Sequence, residues 1–401
     1  MKIIIHSDEY YPTGAACAYR MKVFADVLSE KGHEVTVITS STNRKKGSTD
    51  GCHERIVYAP AYRMKKKNGI TRLLNNFSFA VTSVFASFCA GKADVVLTTS
   101  PPALLGISGW MIARLKRAVL VYDVRDIWPD VALEMNHFTQ DSMYCKVFRC
   151  ITNFMYRHAD MISTVSAGKV LKIRSKIPET LHDRVFLVGN GFDERILSSV
   201  EDADIVKKYG LDERFTCVYI GNIGLAQGLN SLLEIAAQTK HRDIQFLVFG
   251  TGAEEERLKL RAEELKLTNL HFCGVVEHSK VFTLMKHAKI SYIPLKNANL
   301  KDSIPTKIYE ALGLGCPVVL VAEGEACSIV NETGLGVCVS PDHTQDLVAV
   351  FDELVVQYDK ICGQRVSAMN LMQNKYSRQQ IAADFEKQLQ ILLNNRRNKH
   401  V

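Results

Sequence analysis

Along the first half of the chain, short runs of β-branched and other apolar residues alternate with stretches whose apolar positions recur every three or four residues. The runs Lys2–Ser7, Val35–Thr39, Ile56–Ala59, Val95–Thr99, Ala118–Tyr122 and Met161–Val165 read as strands, since a strand buried on both faces is continuously apolar. Helical patterns between most of them make this the βα alternation of a doubly wound parallel sheet. An apolar run from Arg184 ends in Gly189-Asn190-Gly191-Phe192-Asp193, where Gly and Asn signal a turn and a domain boundary. A second alternation follows through Thr216–Gly221, Ile244–Gly250, Leu270–Val276, Ile290–Leu295, Pro317–Val321 and Gly336–Val339. Helices near Gln345–Lys360 and over Ser377–Leu393 come next, and the polar residues from Asn394 onward are expected to form a disordered tail.

Length changes the picture first: 401 residues suit two cores of roughly 200 residues each, an α/β chain with two Rossmann-like domains. The expected division is 1–190, 191–375 and a final segment 376–401. Hydrophobic residues make up 47% and charged ones 23%, a globular composition. Charge is unevenly shared: residues 1–190 hold 26 basic against 16 acidic side chains, whereas residues 191–401 hold 24 against 27. The eleven cysteines are scattered without a Cys-x-x-Cys pair, which reads as small buried thiols in a reducing cytosol. Lys2 leads directly into a strand with no secretory leader, so a cytoplasmic protein is expected.

The uncharged run Leu73 to Gly91 is broken by Asn75, Asn76, Ser78, Thr82, Ser83 and Ser87, which makes it a poor membrane span. Phe77, Val81, Val84 and Phe88 recur within it at helical spacing, predicting a half-buried amphipathic helix. Lys65, Lys66, Lys67 and Arg72 beside it suit either a solvated loop or an anionic membrane surface, each cation contributing about 1 kcal/mol in the latter case. No pattern of a nucleic-acid-reading module is present, so nucleic acid is not an expected partner.

The segment Asp302-Ser303-Ile304-Pro305-Thr306-Lys307-Ile308-Tyr309-Glu310 carries the most chemistry. Pro305 suits a first helical turn, and the free amides around Ile304 to Lys307 with the helix dipole form an anion site. Lys307 adds a full charge, and Glu310 lies on the same face, placed to bind ribose hydroxyls while the lysine holds phosphate. The bland alternative is that Asp302 and Ser303 cap a helix and Lys307 pairs with Glu310 on the surface. Three further loops follow strands, where open sheets bind ligands. Tyr10-Tyr11-Pro12-Thr13-Gly14-Ala15-Ala16 offers small residues that let a diphosphate or sugar approach the backbone. Gly221-Asn222-Ile223-Gly224-Leu225-Ala226-Gln227-Gly228 is its counterpart in the second half, and Asp123-Val124-Arg125-Asp126-Ile127-Trp128 carries charge out of a strand. Asp202-Ala203-Asp204 has the form of a metal-binding triplet but opens a helix, where acids suit the N-terminus. Gly250-Thr251-Gly252 lacks the third Gly of a dinucleotide fingerprint, and its glycines read as a strand turning into its helix.

The segment from Asp302 to Glu310 resembles the acidic-x7-Glu motif of retaining GT-B glycosyltransferases of family 4, with Asp302 in place of the first Glu and Thr306 in place of the usual Ser. Arg125-Asp126-Ile127-Trp128-Pro129-Asp130 is similar to a segment of the branch that attaches N-acetyl-fucosamine or similar deoxy-aminosugars in O-antigen or capsule assembly; many relatives have His where Arg125 stands. The resemblance implies two domains flanking a cleft, with a last helix crossing back to the first. It implies a metal-independent transferase without a cofactor, moving a sugar from a nucleotide diphosphate, UDP in expectation, to a lipid-linked saccharide. The first domain would bind the acceptor and the second the nucleotide sugar, and the protein would sit peripherally on the inner face of the cytoplasmic membrane. Asp126, Arg125, Lys307 and Asp302 would form the reacting centre. Gly14, Ala15, Asn222, Gly224, Gln227, Val276, Ile304, Pro305, Thr306, Lys307 and Glu310 would hold the donor. Family members often place Arg and Lys where Asn222 and Gln227 stand, so charge for the diphosphate must come from elsewhere. A nucleotide-sugar 2-epimerase and a non-catalytic sugar-nucleotide-binding protein remain the alternatives.

Overall fold

The computed structural model describes residues 1–44, 53–64, 69–134 and 139–398. It resolves two compact units, the first made of residues 1–190 with the C-terminal residues from Arg378 onward, the second of residues Gly191–Ser377. Each is a parallel sheet with helices on both faces.

The first sheet contains β1 (Lys2–His6), β2 (Glu34–Ser40), β3 (Arg55–Ala59), β4 (Val95–Ser100), β5 (Val119–Val124), β6 (Met161–Thr164) and β7 (Val185–Leu187). Their spatial order is β3-β2-β1-β4-β5-β6-β7, every pair parallel. Alternation along each strand feeds two cores: Ile4, Ile38, Val96 and Leu120 pack on one face, and Ile3, Ile5, Val37, Leu97 and Val121 on the other. β7 shows in the sequence only as an apolar run before a turn; its three residues pair with β6 at the edge of the sheet.

The second sheet contains β8 (Thr216–Ile220), β9 (Gln245–Phe249), β10 (Leu270–Gly274), β11 (Ile290–Pro294), β12 (Val318–Val321) and β13 (Gly336–Val339), in the order β10-β9-β8-β11-β12-β13. Both sheets reverse direction of strand order once, between β1 and β4 and between β8 and β11. These are the points where a doubly wound sheet opens a crevice at its carboxyl edge.

Three helices of the first unit matter below: α1 (Ala16–Glu30), α2 (Gly69–Cys89) and α3 (Leu104–Lys116). The last helix, Arg378–Asn398, lays Ala382, Phe385 and Leu389 into the core that α1 covers, and Phe385 stacks on Phe24 at 5.4 Å. Its polar end runs helically through Asn394–Asn398, correcting the expected tail: charged and amide side chains favour helix once the first turns are anchored.

Other expectations also change. The predicted helix Gln345–Lys360 is broken into Leu347–Val356 and Tyr358–Cys362. On α2, Val84 is buried, and the outward stripe is Phe77, Val81, Phe85 and Phe88. Lys65, Lys66 and Lys67 lie outside the described residues. No helix among the described residues is long and apolar enough to cross a membrane. Cys327 and Cys338 form a disulfide, Cα atoms 5.7 Å apart, so the expectation of unpaired thiols fails there: the topology brings the helix Glu325–Thr333 back beside β13.

Candidate functional site

In the first unit, the sequence-derived residues Gly14, Ala15, Arg125 and Asp126 all follow strands at the carboxyl edge of the sheet. Gly14 is exposed, with nothing within 4 Å of where a Cβ would stand, and Ala15 occupies the position before α1 without a side-chain cap. Arg125 leaves β5 with its amide on Ser100 O (2.9 Å) and Nη2 donating to Pro101 O (2.8 Å), so it is tied to the end of β4. Neither Asp123 nor Asp126 bonds to it. Asp123 instead pairs with buried Arg20 (3.3 Å) and accepts from Ser163 Oγ (2.7 Å), while half-exposed Asp126 lies 3.7 Å from Lys169 Nζ. Trp128 is partly covered by Tyr144 and Phe148.

Asp8, at the end of β1, was absent from the sequence-derived set. Burial pushes its carboxyl up to about 7, against the opposing pull of the Arg125 guanidinium. Arg125 in turn is desolvated, yet Cys17, Asp8, Asp123 and Asp126 together hold its proton more firmly than usual. The one signal in the sequence was the acidic pair Asp8-Glu9 directly after a buried strand.

In the second unit, Asn222, Gly224, Gln227, Val276, Asp302, Ile304, Pro305, Thr306, Lys307 and Glu310 lie in loops after β8, β10 and β11 or at the start of the helix Thr306–Gly313. Pro305 stands at the N-cap of that helix rather than inside its first turn, and no side chain caps it. Neither Asp302 nor Ser303 therefore occupies the N-cap position, and the first-turn amides have no intrahelical acceptor. Asn222 and Gln227 close around Gly224, whose Cβ position would be 2.4 Å from Asn222 Nδ2 and 2.8 Å from Gln227 Oε1. That Gln227 oxygen is buried without a hydrogen-bond partner among the described residues. Val276 and Ile304 pack against a common core. A cavity of about 430 Å³ opens at Gly224, Gly228, Leu295 and Lys296; Lys307 and Glu310 do not line it.

Lys307 does not pair with Glu310. Its Nζ sits 3.9 Å from the centroid of the Tyr219 ring, and 2.9 Å from where a Cβ on Gly221 would be, space that only the missing side chain leaves. Tyr219 is held by its hydroxyl on Asn222 O (2.5 Å). Burial lowers the lysine to about 7, partly opposed by the charge of Glu310. Tyr219 reads in sequence as one more core aromatic of β8, so this contact was not foreseen.

Asp202 accepts from Asp204 N (3.1 Å) and Ile205 N (3.2 Å), which makes it a helix cap. The glycines of Gly250-Thr251-Gly252 let that loop touch the loop after β8: Ile223 N donates to Thr251 O (3.0 Å) and Glu254 N to Ile223 O (3.0 Å).

Residues 17–191 match the family model of the glycosyl transferase 4-like domain, and residues 201–364 match that of glycosyl transferases group 1. A protein of Escherichia coli K12 assigned to colanic acid biosynthesis, the glycosyl transferase WcaI, is 25% identical over 374 residues, 87% of this chain and 91% of the relative. The alpha-D-kanosaminyltransferase of Streptomyces kanamyceticus is 21% identical over 201 residues, 49% of this chain and 51% of that one. Among solved structures, Anabaena Alr3699/HepE in complex with UDP and glucose superposes with a TM-score of 0.76 at 16% identity, covering 97% of this chain and 99% of the other. Sucrose-phosphate synthase from Thermosynechococcus elongatus gives 0.80 at 15% identity, covering 98% and 99%.

Proposed function

The chain belongs to the GT-B glycosyltransferases, and from that premise we propose that it moves a sugar from a UDP-sugar to a lipid-linked glycan in bacterial surface polysaccharide synthesis, with retention of configuration. The observation that carries this reading is the placement of Lys307 and the uncapped helix Thr306–Gly313 at the β8/β11 crevice, one turn from Glu310. That edge offers a cation, free amides and a carboxylate, the set a nucleoside diphosphate needs. The UDP and UDP-glucose complexes of the Anabaena protein favour uridine as the base.

Residues 191–375 take the donor in this reading. Val276 and Ile304 flank the base, Glu310 accepts from the ribose, and Lys307, Gly224, Gln227 and Asn222 contact the diphosphate, with Pro305 and Thr306 presenting the helix amides. Asp302 holds the transferred sugar. The first domain takes the acceptor, with Arg125 and Asp126 at the reacting centre, while Gly14 and Ala15 belong to the donor-binding set in this reading. The segment Arg125–Asp130 favours a deoxy-aminosugar such as N-acetyl-fucosamine.

The leaving diphosphate itself takes the acceptor's proton on the face from which it departs, so the protein orients the partners and stabilises charge without a nucleophile, cofactor or metal ion. Removing one such stabilising donor slows comparable reactions by about 10²–10³. The outward stripe of α2, with Lys116 5.7 Å over the Phe88 ring, supports peripheral docking on the anionic inner face of the cytoplasmic membrane.

Incubation with UDP-, GDP- and dTDP-linked sugars, with and without EDTA, tests the reading. Slow release of UDP that survives chelation is expected. Release that requires magnesium or manganese overturns the metal-free mechanism, and a product of inverted anomeric configuration overturns retention. Conversion of the donor to its 2-epimer identifies the epimerase instead.

A further inference from the structure

The loop Gly221–Gly228 contains no Lys or Arg; Lys296 lines the cavity at Gly224, and Lys307 is the cation packed against the loop at Gly221. Lys307 is placed unusually for a phosphate ligand. Its Nζ rests against the face of buried Tyr219 and above the bare Cα of Gly221, and it has no hydrogen bond or ion pair to any described residue. Contact with an aromatic face returns less to an ammonium than the desolvation of an unpaired one costs. Tyr219 cannot serve as counter-ion: burial keeps its phenol protonated, and its hydroxyl points to Asn222 O. Asn222 and Gln227 are neutral amides. On its own helix, the carboxylate of Glu310 is the one charge that acts appreciably on Lys307, too far off to form an ion pair. From the adjoining helix Arg365–Lys375, Arg365 is directed to Gly315 O (2.7 Å).

We propose that Lys307 is stored partly without its charge in the free protein, packed on Tyr219 beside Gly221, and takes up a proton from solvent as a nucleotide diphosphate docks beside it. The inference rests on the donor reading above, and concerns how that site acquires its charge. A lysine kept permanently ionised here would be a half-buried cation whose ammonium meets a ring face and no hydrogen-bonding or ion-pair partner among the described residues. The neutral amine is the cheaper resting form, and the incoming diphosphate supplies the counter-charge that makes the ammonium the cheaper bound form. The shift of the free amine to about 7 supports the same conclusion. Donor binding is therefore coupled to pH with a definite sign: it weakens as pH rises, because the proton must be drawn from an ever scarcer supply.

Calorimetry of the full chain with UDP-glucose measures the uptake directly, since that ligand's diphosphate diester does not titrate between pH 6 and 8. Titrations in buffers of different ionisation enthalpy should give net proton uptake that grows as pH rises from 6 to 8. The association constant of the parent should fall about tenfold per pH unit above 8, the limit of one proton bound per ligand. Lys307→Arg, whose guanidinium stays charged at every accessible pH, should show no uptake and a flat profile. Should that variant not fold, the parent's own buffer and pH dependence decides. UDP-glucose binding with an enthalpy that is the same in all buffers overturns the proposal and leaves the donor reading intact. No binding by UDP-, GDP- or dTDP-glucose overturns the donor reading, and the proposal with it.

Discussion

Gly250 lies so close to Gly221 that a Cβ on it would stand 1.8 Å from the Gly221 carbonyl oxygen. Its φ of +138° adds a second reason for glycine, and Gly252 repeats the relationship with Ile223 O at 2.1 Å. The loop after β9 thus underlies the loop after β8 and sets its height beside Lys307.

Gly250→Ala should destabilise the second unit by roughly 2–4 kcal/mol, combining backbone strain with a clash against main-chain atoms that cannot rotate away. Urea unfolding followed by fluorescence measures it. Gly14→Ala is the matched control: its Cβ meets open space, and a change within about 0.5 kcal/mol is expected.

Glu310→Ala should weaken UDP and UDP-sugar by about 1.5–3 kcal/mol, the usual worth of a hydrogen bond to a charged group. Calorimetry reads this directly. Unchanged UDP affinity removes the ribose role from Glu310 and leaves the rest of the site standing.

Asp8 supplies a pH-dependent test of the first unit. Its folded-state value of about 7 lies above the ordinary carboxyl value of 3.8, so between these the native state keeps a proton that the unfolded chain has lost. Its contribution is complete at low pH and is lost as pH rises to 7 and beyond. Asp8→Asn removes that dependence, and its melting temperature relative to the parent should climb from pH 4 to pH 8 by several degrees, each 1 kcal/mol being worth about 2–4 °C in a domain of this size. A constant difference across that range would show that the Asp8 carboxyl titrates normally.

Paired replacement of Phe77 and Phe85 by Ser should cut binding to anionic vesicles at least tenfold, each ring contributing on the order of 1 kcal/mol or more of apolar burial. UDP binding should be unaffected. Vesicle sedimentation that does not distinguish variant from parent would remove α2 from the membrane contact.

Both sheets were legible because most of their strands are apolar on two faces: Val95-Val96-Leu97 and Val318-Val319-Leu320-Val321 admit few other readings. β7 was missed as a strand because its three residues, ending in exposed Leu187, are too short for periodicity to register. Asp302 to Glu310 was visible since the chemistry is local to one helix start. Asp8 with Arg125 and Lys307 with Tyr219 were not, since each pair meets only through sheet order. β1 and β5 flank β4, while Tyr219 stands 88 residues before Lys307 and points at it because β8 adjoins β11. Local spacing carries no information on such pairs.

The stacking of Phe385 on Phe24 also has a temporal meaning. The first unit cannot be completed when residue 190 leaves the ribosome, since the side of α1 that receives Ala382, Phe385 and Leu389 is still uncovered. Translation at about 5–20 residues per second leaves that apolar surface open for roughly 10–40 s while the whole second unit is synthesised. The earlier half of this polypeptide is therefore the later half to finish folding, and a nascent chain stalled anywhere before residue 380 presents a ready substrate for chaperones.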